Sequence, residues 1–229
     1  MKWNNKFTYP KSSRSLKNGF RHYLFNNKKL PSVTSILQAT KSEEDKAALE
    51  NWKQRVGHAE ANKIKNEASS RGSSMHLHIE NFLKNRINES FFEENEQYKN
   101  MAKEIIDKGI KGKLEEIYGI EATLQNPEHR YAGTADLIGV YKGESVIIDF
   151  KQANSPKKSD YIQDYFLQLG AYTLAHDQVY RTKMKAGIIL LCTKDILFQD
   201  FKIEGTELAM YQNLFLGRVK KFYEMNNLS

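Results

Sequence analysis

The chain has 229 residues, of which 40% are hydrophobic, 28% are charged and four are proline, so a folded core is expected rather than a disordered segment. No apolar run reaches the length of a membrane span, and the N-terminus lacks the apolar stretch of a secretory signal. The single cysteine, Cys192, excludes a disulfide framework and a four-cysteine zinc or iron–sulfur site.

The net charge of +7 is unevenly placed. Residues 1–41 hold seven lysines and two arginines with no acid, which leaves about −2 for the rest of the chain. Such a region suits non-specific phosphate binding. A mitochondrial transit peptide is the rival reading, set against a motif that begins inside the region at Leu30. The cytoplasm is the expected compartment, ahead of the mitochondrion.

Residues 1–29 alternate basic and aromatic side chains, among them Lys6, Phe7, Tyr9, Arg14, Phe20, Arg21, Tyr23 and Phe25. Short strands or an extended arm are both compatible with this pattern. The aromatics could stack bases between phosphate-tracking cations, or simply cover a small sheet. Pro31-Ser32-Val33-Thr34 leads into a helical region. Ser42 with Glu44 and Asp45 gives an N-cap and an acidic first turn, and Leu49, Trp52 and Val56 recur at helical spacing as expected core. Lys53 and Arg55 point elsewhere.

A second helix, broken, is predicted over Ile64 to Arg86. His76 and Glu80 share one of its faces, and His78 is read as a surface residue. Residues 84–116 are lysine- and glutamate-rich, which predicts a linker and a largely exposed helix. Tyr118–Leu124 reads as a strand in which Glu121 is either solvent-facing or a further metal-site carboxylate; the solvent-facing reading is preferred. Pro156-Lys157-Lys158 reads as a loop beside the site. Ile162 to Thr173 has the period of an amphipathic helix that carries Gln168 and Tyr172. Ala186–Thr193 and Ile196–Ile203 form a second hairpin, with Cys192 as a small buried side chain. A last helix from Gly205 buries Leu208, Tyr211, Leu214, Phe215, Val219 and Phe222.

The stretch Tyr131–Lys151 organises the rest. Gly133–Tyr141 and Ser145–Phe150 read as two strands joined by Lys142-Gly143-Glu144. Residues two apart in a strand share a face, so Asp149 and Lys151 project side by side with Phe150 turned away. Antiparallel pairing lets Asp136 approach the same spot. Converging carboxylates call for a divalent cation, and the ammonium suits an anionic substrate.

Asp149-Phe150-Lys151 after an apolar strand, with Asp136 three residues past Gly133 and Gln168-x-x-x-Tyr172 on the next helix, resembles the PD-(D/E)xK nuclease superfamily. Gly72-x-x-x-His76-x-x-x-Glu80 upstream gives the motif order of its RecB-like exonuclease branch. Leu30-Pro31-Ser32-Val33-Thr34 and Leu49-Glu50-x-Trp52-Lys53-Gln54-Arg55 narrow the resemblance to the mitochondrial genome maintenance exonuclease family, in a bacterial or phage version. Residues 30–56, 71–83 and 131–175 carry it, and Gln152 departs from the threonine found after the motif lysine in many relatives.

The resemblance implies a mixed α/β (α+β) fold with a restriction-endonuclease-like core, a central mixed β-sheet flanked by helices, and an N-terminal helical and basic extension. A single domain over 1–229 is expected, divided into a basic arm (1–41), a helical part with the histidine motif (42–116) and the catalytic sheet and helices (117–229). His76, Asp136, Asp149, Lys151 and Gln168 are the implied catalytic set. One or two Mg²⁺ or Mn²⁺ ions would sit on Asp136, Asp149, the Phe150 carbonyl and, in one of two readings, His76; in the other, His76 contacts the scissile phosphate. No iron–sulfur cluster is expected. Lys6, Arg14, Arg21, Ser32, Thr34, Lys53, Arg71 and Tyr172 are the candidate nucleic-acid contacts. The implied partner of a monomeric chain is DNA, single-stranded with a free end. A restriction-type endonuclease and an inactive nucleic-acid-binding protein are the alternatives.

Overall fold

A computed structural model describes residues 1–17, 19–25, 27–85 and 95–226. The hairpin over Tyr131–Lys151 forms as predicted. Strands β6 (Tyr131–Tyr141) and β7 (Glu144–Ala153) pair antiparallel, joined by Lys142 and Gly143, both at positive φ, which matches the twist of a tight hairpin. On one side β6 pairs antiparallel with β5 (Leu114–Asn126), against which β1 (Lys2–Trp3) lies parallel. On the other side β7 pairs parallel with β8 (Ala186–Thr193), which pairs antiparallel with β9 (Phe198–Glu204). The result is a mixed six-stranded sheet in the order β1-β5-β6-β7-β8-β9.

Each face of this sheet is closed by helices, because its central strands are apolar on both sides. One core holds Ile138, Ile147 and Ile189 against α1 (Val33–Ala39), α5 (Gln163–Tyr180) and α6 (Gly205–Met225). The other holds Leu137, Ile148, Phe150 and Leu190 against α3 (His58–Leu83) and α4 (Glu96–Ile105). Two of the helices are started by serine caps: Ser32 caps α1 by accepting from the Ser35 N–H, and Ser42 caps α2 (Glu43–Val56) by accepting from the Asp45 N–H, both at 3.0 Å.

Of the two readings of the basic N-terminal region, the short strands form, while several other expectations are corrected. β2 (Ser13–Lys17), β3 (Phe20–Phe25) and β4 (Lys28–Pro31) form a three-stranded antiparallel sheet, and a Ser32–Ala132 bridge ties it to β6. Phe7 and Tyr9 pack on Tyr180 and His176, so these aromatics are structural. α3 is unbroken over 26 residues. Arg86 and the linker through residue 94 fall outside the described residues.

α4 is not largely exposed: Met101, Ala102 and Ile105 are buried, and a π-helical turn continues the stripe to buried Ile106 and Ile110. α2 buries none of its residues; Trp52 is half-buried and Leu49 exposed, because the helix lies outside both cores. Leu214 is also exposed, the other five residues of the α6 stripe being buried. α5 is buried beyond a single stripe, since α6 covers the side away from the sheet. Gly170 makes room there: a Cβ would lie 2.8 Å from the Tyr211 backbone carbon. Cys192 is buried in β8, as predicted. No described helix is long and apolar enough to cross a membrane.

Gly139 marks the tightest point of the β5–β6 pairing, where a Cβ would stand 2.1 Å from the Glu116 carbonyl oxygen. Backbone cannot yield there as a flexible side chain would. Gly139→Ala should therefore cost about 2–3 kcal/mol in urea unfolding. A loss below about 0.5 kcal/mol would show that the strands can part at this bulge.

Candidate active site

The ladder between β6 and β7 ends at Leu137–Ile148, and Asp136 and Asp149 stand one step beyond it, opposite each other. There the freed Phe150 N–H donates to Asp136 Oδ2 at 2.8 Å. Parallel pairing with β8 carries β7 onward, so Asp149 and Lys151 both project toward α5. Asp149 is only 1% exposed and forms an ion pair with the Lys151 ammonium. Lys151 also donates to Gln168 Oε1 at 3.1 Å and lies over the Tyr165 ring. Gln168 in turn donates to the Tyr172 hydroxyl at 3.0 Å. Gly133 admits the Tyr172 ring: a Cβ there would fall 2.4 Å from its Cε1. The glycine, glutamine and tyrosine of the sequence pattern are thus one packed unit that fixes the lysine.

His76 reaches the hairpin from α3. Its Nε2 lies 2.9 Å from the Phe150 carbonyl oxygen, which can only accept, so Nε2 carries the proton. In the neutral ring Nδ1 is then a lone pair, and it faces Asp136 Oδ2 at 3.5 Å. Two acceptors facing each other need a proton or a cation between them. Glu121 completes the arrangement. It lies across from Asp136 on β5, at φ 50°, and its ligand atom is within 4.8 Å of those of His76 and Asp136. The preference for a solvent-facing Glu121 is therefore corrected: exposed as a residue, it still directs its carboxylate into this cluster.

The electrostatics report the same crowding. Burial and then the Asp149 charge raise the Asp136 carboxyl above the usual carboxylate range. Burial and then Asp136 push Glu121 up to about 7. Burial lowers the His76 pKa, with Asp149 opposing and Lys151 reinforcing that effect. Burial works against the Lys151 ammonium, but Asp149 and Asp136 outweigh it and hold its pKa above the ordinary lysine value. An imidazole and carboxylates that resist being charged together form a donor set suited to a divalent cation.

These groups line a cavity of about 420 Å³ that brings together His76, Asp136, Asp149, Lys151, Gln168, Tyr172, Arg14, Arg21, Ser32 and Thr34. Past Lys151, Gln168 and Thr34 lies a groove of about 500 Å³ bordered by Lys41, Lys46, Leu49, Asp164 and Tyr165. Three expected contacts lie outside the cavity lining. Lys6 sits over the Phe7 ring, Lys53 pairs with Glu50 on α2, and Arg71 is 7% exposed, its guanidinium donating to Gln152 Oε1 and Asn154 Oδ1. Gln152, the departure from the family pattern, thus ties β7 to α3. Lys157, expected beside the site, is instead joined through its backbone to the Gln199 side chain on β9.

Sequence reasoning missed Tyr23 and Thr134 as lining residues. Thr134 Oγ1 accepts from Arg14 at 2.9 Å and lies 2.9 Å from the Tyr23 hydroxyl. The glycine–threonine–alanine–aspartate run was the one available signal.

No protein-family model matches the chain. It is similar to mitochondrial genome maintenance exonuclease 1 of Xenopus tropicalis, 30% identical over 212 residues, covering 86% of this chain and 58% of that one. The human and mouse proteins of that name are 29% and 31% identical, each over 72% of this chain and 50% of their own. The chain therefore spans half to three-fifths of the curated relatives it matches. Among solved structures, SSO0001 aligns over 76% of this chain and 70% of its own at 17% identity, with a TM-score of 0.40.

A pH series on chelated protein tests the electrostatics. Acids with raised pKa values bind more protons folded than unfolded, so their contribution to stability is lost as pH rises through the folded values. A histidine with a lowered pKa acts oppositely, but only below about 6.5. Above that pH the melting temperature should fall, through about 7 for Glu121 and further for Asp136, and Asp136→Asn should remove most of the slope. A flat wild-type profile would contradict the crowding.

With hairpin, histidine helix and glutamine helix converging on one cavity, the chain is a homologue of the proteins named mitochondrial genome maintenance exonuclease 1.

Proposed function

We propose that the chain is a metal-dependent DNA exonuclease that hydrolyses single strands from free ends, acting as a monomer. The observation that carries this reading is the His76 lone pair facing Asp136 beside Asp149, with Lys151 held at the same cavity floor. The relatives named as exonucleases support the reaction class.

Asp136, Asp149, the Phe150 carbonyl and His76 would hold Mg²⁺ or Mn²⁺, with Glu121 within reach of the same ion. Oxygen-rich donors favour Mg²⁺, and the imidazole also suits Mn²⁺. A bound divalent ion supplies Lewis acidity, lowering the pKa of water and stabilising charge on the phosphoryl group. Lys151 adds a fixed positive charge where phosphate charge develops, and Gln168 holds that ammonium in place. His76 serves as a ligand rather than a phosphate contact, since its free nitrogen faces Asp136. Arg14 and Arg21 would anchor phosphates at the cavity, with the buried Tyr23 beneath the Arg14 guanidinium.

End-labelled and circular DNA, single- and double-stranded, with Mg²⁺, Mn²⁺ or chelator, tests the reading directly. Linear single strands should be shortened from an end only when metal is present, and circles should survive. Cleavage of circular strands would favour a restriction-type endonuclease on this fold. Asp149→Ala and Lys151→Ala should each reduce cleavage at least about a hundredfold, with binding of oligonucleotide in chelator largely retained. Wild-type turnover in either variant would sink the assignment.

A further inference from the structure

The three-stranded N-terminal sheet borders two spaces. Arg14, Arg21 and Tyr23 line the acidic cavity, whereas Phe25, Lys28, Lys29 and Pro31, with Arg130 and Tyr223 opposite, border a separate cleft of about 590 Å³. No carboxylate lines this cleft. Among the described residues no acid pairs with Lys28, Lys29 or Arg130, so three cations face an uncompensated space. Its far wall is preorganised: the Arg130 guanidinium lies 4.3 Å from the Tyr223 ring centroid, and the Tyr223 hydroxyl donates to the Arg130 carbonyl at 2.6 Å. A small anion would need one or two of these cations. Three cations along a cleft of this size, beside an aromatic shelf, match a chain of phosphates that carries stackable rings.

The cleft is also placed for a polymer. The Ser32–Ala132 bridge joins β4 to β6, and the two spaces lie on either side of that seam. Pro31 borders the cleft while Ser32 and Thr34 line the cavity; Arg130 borders the cleft while Gly133 and Thr134 line the cavity. Arg130 and Gly133 are three residues apart in extended chain, roughly 10 Å.

We infer that this cleft is a second subsite for single-stranded DNA, holding the part of the strand that lies outside the acidic cavity. Lys28, Lys29 and Arg130 contact phosphates, and the Arg130–Tyr223 shelf carries a base. The inference rests on the nuclease reading for the identity of the polymer.

The test measures anisotropy of fluorescein-labelled oligothymidylates of about 5 and about 20 nucleotides on the full chain, in chelator and across a salt series. Lys28→Glu/Lys29→Glu should weaken the longer oligonucleotide at least about tenfold and reduce its log–log salt slope by roughly 1.4, two phosphates' worth for a single strand. The shorter one should change less than about twofold, because it fits in the cavity. Arg130→Gln should act in the same direction, and an unchanged thermal melt verifies the fold of each variant. Equal loss at both lengths, or no loss, overturns the subsite. Cleavage of the longer strand is read in parallel. A wild type that cleaves, with variants that bind like it, leaves the nuclease reading standing and the cleft refuted. A wild type that never cleaves but shows the length-dependent loss refutes the nuclease reading and keeps the cleft.

Discussion

Two carboxylates that face each other at the end of a hairpin set the terms for everything around them. Asp136 and Asp149 are placed by strand register, and neither can turn far away because the central strands are buried on both faces. Left alone, such a pair is strongly unfavourable. Lys151 against Asp149 and the Phe150 N–H against Asp136 offset part of it, whereas the inward lone pair of His76 across from Asp136 adds to it. That compensation is incomplete, and burial with neighbouring charge raises the Asp136 and Glu121 carboxyls above the usual carboxylate range. A cation would complete it. The chemistry of the site and its cost to the fold therefore have one origin.

The architecture supplies rigidity to this arrangement. β7 stays paired with β8 through Ala153 after it parts from β6, so Lys151 is delivered on regular strand. Gly133 lets Tyr172 close in, Tyr172 holds Gln168, and Gln168 holds Lys151. Arg71, bonded to Gln152 and Asn154, fastens the histidine helix to the same strand. Three elements far apart in sequence are thereby locked to one short stretch of backbone.

How much of this is legible in the chain depends on how local the cause is. Strand alternation puts Asp149 and Lys151 on one face, and helical spacing puts Gln168 beside Tyr172; both arrangements form. Trp52 misleads because helical periodicity cannot tell a core helix from one at the periphery. Met101 and Ile105 are under-read because charged neighbours conceal a narrow apolar stripe. Glu121 is under-weighted for a subtler reason: its position follows from a left-handed backbone kink and from register with β6, and no residue type announces either. Tyr23 and Thr134 meet across 111 residues, through a bridge between two sheets that only the folded chain reveals.

The central claim is that the folded hairpin stores a repulsion that a divalent ion relieves. Thermal unfolding of wild type and Asp136→Asn, each in chelator and then in excess Mn²⁺, measures this most directly. In chelator the asparagine variant should be the more stable; with Mn²⁺ the wild type should gain several degrees and overtake it, since an ion binding only the folded state stabilises that state. A wild type that Mn²⁺ leaves unmoved, while the variant shows no advantage in chelator, would contradict it.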